Sequence, residues 1–338
     1  MTKEALLSVR GLNVEYSTTE GVVNAVSDVS FDVMKDEVFG FAGESGCGKS
    51  TLIRALLRLL SSNGRATAAA INYDGEDIGS MPEKAFRESV LWKRISLVPQ
   101  SAMNSLNPVY RVGDQVIEAI RAHEAATRAE ARERVAALFD VVGLQAELMN
   151  SYPHEFSGGM RQRAMIAMSL ALDPGLIIMD EPTTGLDVLV QERILRRIRE
   201  IRAELSSSII LITHDIAVIA EMSDRIAVMY GGRIMESANV LDLFESPYHP
   251  YTLGLKNAFP SIRAIDSQLI SIPGTPPSLI GEVSGCLFEP RCPFRLAPCA
   301  RDTPVTENVG EFHQVRCLRH ADVETFREKS TRKSTWHS

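Results

Sequence analysis

Apolar residues fall along this chain in two rhythms. Across residues 5–42 short runs alternate with turns (LLSVRGLNVEY, VVNAVSDVSFDV, EVFGFAG), which predicts an antiparallel β start feeding one buried strand. Over residues 50–60 the period lengthens, with Leu52, Leu56, Leu57 and Leu60 on one face of a predicted helix. Short continuous apolar runs recur at 95–98, 176–179, 209–213 and 226–229, separated by helical stretches near 128–142, 157–172 and 188–205. Strand and helix alternating in this way predict a parallel sheet covered on both faces. The helix-rich segment 112–172 reads as a subdomain inserted into that α/β core.

The pattern changes near 246–285, where IPGTPPSLIGEVSG is dense in Pro, Gly and Ser and reads as irregular loop. The end, REKSTRKSTWHS, is polar and is expected to fray. Three parts follow: an α/β domain over 1–255, an extension over 256–325 and a flexible tail over 326–338. At 338 residues with 45% hydrophobic and 23% charged positions, the chain can bury a full core. The net charge of −7 argues against nucleic acid as the main partner. No run reaches the roughly 18 apolar residues that span a bilayer, and the first residues lack the apolar core of a secretory signal. The expected location is the cytoplasm, with any membrane role reached through a partner.

Candidate chemistry begins where the buried run 38–42 ends. Gly43-Glu44-Ser45-Gly46-Cys47-Gly48-Lys49-Ser50-Thr51 fits G-x-x-x-x-G-K-[ST], a loop whose backbone N–H groups cradle phosphate at a helix start. Lys49 would contact the β- and γ-phosphates of ATP and Ser50 would hold Mg²⁺. Cys47 occupies a variable position and reads as a packed small thiol. Downstream, Leu176-Ile177-Ile178-Met179 ends in Asp180-Glu181. Asp180 would orient Mg²⁺ through water, and Glu181 would polarise the attacking water. His214, after Ile209–Thr213 in sequence, would reach the γ-phosphate; a lone His at a strand end is more often structural, but its place in this series favours chemistry. Gln100, after Leu97-Val98-Pro99, can carry an amide to Mg²⁺ or the lytic water. Tyr16 could stack on adenine, with a sheet-core tyrosine as the alternative.

The run Phe156-Ser157-Gly158-Gly159-Met160 adds what a phosphate loop alone would not. Together with Gln100, Asp180-Glu181, Gly185-Leu186-Asp187 and His214, it resembles the signature of the nucleotide-binding subunits of ABC transporters over roughly residues 5–245. The resemblance implies an α/β, ABC-type P-loop NTPase fold with an antiparallel β subdomain and an inserted helical subdomain. It implies head-to-tail pairing, with Ser157, Gly158 and Gly159 contacting the partner's ATP and Asp187 running along the dimer seam. Met160 stands where the family usually has Gln, which leaves the Ser and Gly contacts in place.

Ser246-Pro247-Tyr248-His249-Pro250-Tyr251-Thr252, Gly274-Thr275-Pro276-Pro277, Gly285-Cys286 and Pro290-Arg291-Cys292-Pro293 resemble the extension of oligopeptide/dipeptide importer ATPases. That branch implies a heterodimer with a homologous ATPase subunit, two integral membrane permease subunits and an extracytoplasmic substrate-binding protein. The chain would sit peripherally on the cytoplasmic face of the inner membrane. Residues 101–108 also look like this branch and would help form the groove that receives a permease coupling helix. Other members move nickel or oligosaccharides, so those cargoes stand as alternatives to peptides. A soluble, non-transport ABC ATPase and a non-hydrolysing scaffold are the competing classes.

Of five cysteines, Cys286, Cys292, Cys299 and Cys317 fall in the loop-rich extension. In a cytosolic chain such a cluster points to metal rather than disulfides. The wide spacing and the resemblance favour a 4Fe-4S cluster, with Zn²⁺ or reduced free thiols as alternatives. Ligation there would contribute folding energy to a segment with few apolar residues.

Overall fold

The computed structural model describes residues 4–100, 104–205, 207–258, 271–281 and 284–336. They fall into two compact units: one takes in the residues up to Leu7, Val33–Val38 and Asn72–Thr213, the other Ser8–Asp32, Phe39–Ile71 and the residues from His214 onward.

In the first unit the strands Ile95–Val98, Leu176–Asp180 and Ser208–Ile212 run parallel, with Ile95 opposite Leu176 and Leu176 opposite Ser208. Every residue of the latter two strands is buried, which is why they read as continuous apolar runs rather than alternating ones. The inserted helices are Val112–His123, Arg128–Val141 and Gly158–Ser169. Val112, Val116, Ile117 and Ile120 form the buried face of the first, and Val135, Leu138 and Phe139 that of the second. Thr127 starts the second helix with a capping box: its Oγ1 accepts from the Glu130 N–H at 3.3 Å, and the Glu130 carboxylate accepts from the Thr127 N–H at 2.8 Å.

In the second unit the strand Val38–Ala42 runs parallel to Arg225–Tyr230, Phe39 lying opposite Arg225. Arg225–Tyr230 pairs antiparallel with Arg233–Asn239, which pairs with His313–Val315, itself paired with Glu307–Gly310. The sheet is therefore mixed rather than purely parallel. Its outer strands come from the segment that reads as loop, because three- and four-residue strands (HQV, ENVG) are too short to show a period. A second sheet joins Ala5–Thr18 and Gly21–Met34, with Gly64–Thr67 antiparallel to the former, as the opening alternation predicts.

Tyr230, Tyr251, Phe288 and Trp336 meet in one apolar core, with the Tyr230 and Tyr251 ring centroids 4.7 Å apart. The tail expected to fray from residue 326 folds instead. The helices Val323–Ser330 and Lys333–Trp336 bury Val323, Phe326 and Trp336, and the Trp336 indole N–H donates to the Ser330 carbonyl at 2.8 Å. Three well-spaced anchors hold an otherwise polar segment whose composition hides them.

Candidate nucleotide site

The phosphate-type loop follows the buried strand Val38–Ala42. Gly43 has φ +147°, and a Cβ there would fall 2.2 Å from the Met229 carbonyl and 2.8 Å from the Cys47 sulfur. Gly48 has φ +104°, and its Cβ would meet the Ala25 carbonyl at 2.5 Å. Both positions exclude any other residue by conformation and by space. Gly48 leads directly into the helix Lys49–Leu56, so the first-turn N–H groups and the positive helix end converge on one spot, an anion-binding arrangement.

Lys49 is buried, and its Nζ donates to the carbonyls of Gly43 at 2.8 Å and Glu44 at 3.1 Å and to the Cys47 sulfur at 3.4 Å. Burial outweighs the pull of Lys49 on the Cys47 thiol and raises its pKa, which keeps it a neutral packing group. Ser45 and Gly46 are exposed, while Ser50 and Thr51 are half-buried on the first helical turn. Tyr16 lies opposite Gly64, and a Cβ on Gly64 would stand 2.8 Å from the Tyr16 ring. The tyrosine is half-buried over the one residue type that admits it. His214 is exposed and directly precedes Asp215, whose carboxylate caps the helix Ile216–Met222 by accepting from Ala217 and Val218 at 2.9 and 3.3 Å.

The first unit carries the carboxylates. The strand Leu176–Asp180 ends at buried Asp180. Glu181 then turns with φ +50°, left-handed for a non-glycine residue, and its N–H donates to the Ile212 carbonyl at 2.8 Å. A conformation of this kind costs on the order of 1–3 kcal/mol, and it aims the carboxylate. Glu181 Oε2 accepts from Gln100 Nε2 at 3.1 Å and from Thr184 Oγ1 at 2.8 Å. The structure thus brings Gln100 and Glu181 together and adds Thr184, which the motif reading passes over. Its place three residues after Glu181, within Pro182-Thr183-Thr184-Gly185, was the available signal.

Ser157 caps the helix Gly158–Ser169, its Oγ accepting from the Met160 N–H at 3.3 Å. A Cβ at Gly159 would meet Val190 Cγ1 at 2.5 Å, so this glycine lets the helix approach Val188–Leu205. Asp187 Oδ1 accepts from the Val190 N–H at 3.0 Å and fixes the start of that second helix. Of the groove-forming run, residues 101–103 lie outside the described residues. Beyond it, Val109 and Tyr110 are exposed large apolar residues.

Cys286, Cys292, Cys299 and Cys317 line one cavity with His249, Phe288, Phe294 and Phe326. The Cys286 N–H donates to the Cys299 carbonyl at 2.8 Å, joining two of the cysteine turns. Burial pushes the thiols of Cys292 and Cys317 up to about 12 and raises that of Cys286, so as thiols they stay protonated at neutral pH. His249 is fully buried, and burial lowers its pKa to about 3. Its Nδ1 accepts from the Tyr251 N–H at 3.0 Å, which puts the proton of the neutral ring on Nε2, an atom with no hydrogen-bond partner. Among the described residues, no three His, Cys, Asp or Glu side chains are placed to hold a metal ion. The expected metal centre is therefore not established. The four thiols share a cavity.

The ABC transporter family profile matches residues 26–184, and that of the oligopeptide/dipeptide transporter C-terminal region matches 235–299. The chain is 44% identical to the oligopeptide transport ATP-binding protein OppD of Escherichia coli over 306 residues, covering 90% of each chain. It is 41% identical to the dipeptide transport ATP-binding protein DppD of Bacillus subtilis, covering 93% of this chain and 94% of that one. Among solved structures, cbiO1 from Clostridium perfringens superposes with TM-score 0.60 at 28% identity, over 75% of this chain and 96% of that one. The fold is also that of the dimeric ATP-binding cassette MJ0796 in a post-hydrolysis state bound to ADP and Pi, with TM-score 0.62 at 23% identity over 69% of this chain and 98% of that one.

Proposed function

The chain belongs to the oligopeptide/dipeptide branch of the ABC transporter ATP-binding proteins, and on that premise we propose that it hydrolyses ATP to power uptake of di- or oligopeptides through two membrane permease subunits. The observation that carries the hydrolytic role is the Glu181 carboxylate, held by Gln100 and Thr184 at the end of the strand that delivers Asp180. In this reading the loop Gly43–Thr51 takes the phosphates, Lys49 leaves its carbonyl partners for the β- and γ-phosphate oxygens, and Tyr16 stacks on adenine. Ser50 and the Gln100 carbonyl oxygen would hold Mg²⁺ with Asp180 behind them through water; the ion neutralises charge on the β- and γ-phosphates. Gln100 has its Nε2 engaged by Glu181, so its carbonyl oxygen is the atom that would be offered to the ion.

Glu181 polarises a water whose oxygen bonds to the γ-phosphorus as the bridging P–O bond to ADP breaks, and His214 orients that water. Ser157, Gly158 and Gly159 serve the ATP of a homologous partner subunit, and Asp187 lies along the seam of that heterodimer. In this reading the chain is a peripheral subunit on the cytoplasmic face of the inner membrane; among the described residues no helix is long and apolar enough to cross a membrane. Residues 1–255 form the ATPase part and 256–325 the extension.

The assembled importer, reconstituted in vesicles with its binding protein, is expected to accumulate labelled di- or oligopeptides with ATP inside. Accumulation of nickel or an oligosaccharide instead, with none of peptide, would replace the cargo assignment. ATPase activity indifferent to permease would favour a soluble, non-transport role.

For the cysteine cavity we infer a 4Fe-4S cluster held by Cys286, Cys292, Cys299 and Cys317. Two features support it. Four soft donors, Cys286, Cys292, Cys299 and Cys317, line one cavity, and four cysteine thiolates are the ligand set of such a cluster. The orphaned Nε2–H of His249 also lacks an acceptor of the kind a sulfur-rich group supplies. The cluster would contribute folding energy to the extension. Protein purified without oxygen should contain about four iron and four sulfide per chain, with broad absorbance near ~400 nm. Zinc at one per chain, or no metal with four titratable thiols, overturns the assignment.

A further inference from the structure

Arg291 sits between Pro290 and Cys292 in a turn that, read as sequence, has no connection to nucleotide chemistry. In the structure its side chain is only 6% exposed and forms a two-pronged ion pair with Glu44, the second residue of the phosphate loop. Nη1 donates to Glu44 Oε2 at 2.8 Å and Nη2 to Oε1 at 3.0 Å, the planar fork-to-fork geometry that only arginine offers. The remaining donors are also committed: Nε to the Pro273 carbonyl at 2.8 Å, Nη2 to the Ile272 carbonyl at 3.2 Å and Nη1 to the Tyr230 hydroxyl at 3.3 Å. The guanidinium is thus fixed in place before it meets Glu44. Glu44 is held elsewhere too, its N–H donating to the Tyr251 hydroxyl at 3.0 Å and its carbonyl accepting from Lys49.

We propose that Arg291 is a positioning residue for the nucleotide site, holding the Glu44 carboxylate away from the phosphate cradle. The inference rests on the assignment of residues 43–51 to ATP phosphates. A phosphate loop works by pointing unpaired N–H groups inward, and a carboxylate in the same loop can accept only hydrogen bonds. Released, it would fold onto those donors and repel the triphosphate. Arg291 neutralises it and aims it outward, while Tyr251 secures the backbone on the same residue. When Lys49 leaves the Glu44 carbonyl for phosphate, these two contacts preserve the loop's shape. Glu44 therefore links the C-terminal region to ATP affinity without either Arg291 or Tyr251 touching the nucleotide.

Affinity of the full-length chain for a fluorescent ATP analogue with Mg²⁺ tests this, with melting temperature recorded for each variant. Arg291→Ala is expected to weaken binding about tenfold, equivalent to about 1.4 kcal/mol. Adding Glu44→Gln in that background should restore affinity to within about threefold of wild type, because the offending charge is gone. Arg291→Lys, which keeps the charge but loses the fork, should fall between. If Arg291→Ala does not fold, Arg291→Gln alone and with Glu44→Gln makes the same comparison. Wild-type affinity in the single variant, or a double variant that binds no better than the single, overturns the proposal; the latter marks a merely structural loss. A wild-type chain that binds no ATP would instead remove the nucleotide assignment itself.

Discussion

Glu181→Gln is expected to lower ATP turnover of the assembled complex by about 10²–10⁴-fold, the range a positioned general base supplies, while ATP binding persists. The geometry makes this an unusually clean substitution. Both neighbours donate to Oε2, Gln100 at 3.1 Å and Thr184 at 2.8 Å, and a glutamine carbonyl oxygen can accept both bonds in the same place. The turn at φ +50° is set by the backbone bond to Ile212, which the substitution does not touch. What is lost is the charge and the ability to take a proton from water. Steady-state phosphate release together with equilibrium ATP binding measures the two halves, and full turnover in the variant would refute the role. Thr184→Ala should have a smaller effect of the same sign, since it frees the carboxylate without removing it.

The second large effect separates the two ends of the composite site. Lys49→Ala should abolish detectable ATP binding by the isolated chain, because it removes the one buried ammonium at the loop. Ser157→Ala should leave that binding unchanged and yet reduce turnover of the heterodimer by tenfold or more, with the loss falling on the partner's ATP. The helix itself survives the change: losing a serine cap costs about 1 kcal/mol, and Phe156 and Gly159 remain buried on either side. Trapping labelled nucleotide separately on each subunit reads out which site fails. Loss confined to the site on this chain's own loop would end the head-to-tail reading.

These two predictions rest on what local sequence shows best. The loop Gly43–Thr51, the Asp180-Glu181 strand end and the Ser157–Gly159 helix start are each chemistry written within ten residues, and each sits on the element its pattern predicts. The helices Arg128–Val141 and Gly158–Ser169 were legible as helical stretches within a helix-rich segment, while Val112–His123 was not singled out. Pairings over long separations were not. Arg291 and Glu44 are 247 positions apart, and nothing in either neighbourhood announces the other. The strands Glu307–Gly310 and His313–Val315 carry too few residues for a period to emerge, and Trp336 is a single anchor in a polar tail. The cysteines were legible as a group but not as a site, because spacing along a loop-rich segment does not determine where four sulfurs point.

The strand His313–Val315 has a consequence beyond architecture. It pairs with Arg233–Asn239 through Glu236 and Ser237, and the Glu236 carboxylate, with no exposed surface, accepts from His313 at 2.7 Å and from the N–H groups of Tyr248 and His249 at 2.7 and 2.9 Å. Without the last forty residues, Arg233–Asn239 would present a bare row of backbone donors and acceptors with a partly unpaired buried carboxylate beside it. Such an edge invites another chain to add itself. The C-terminal hairpin is thus also a guard against self-association, and a shortened chain should come out of the cell as aggregate rather than as a smaller ATPase.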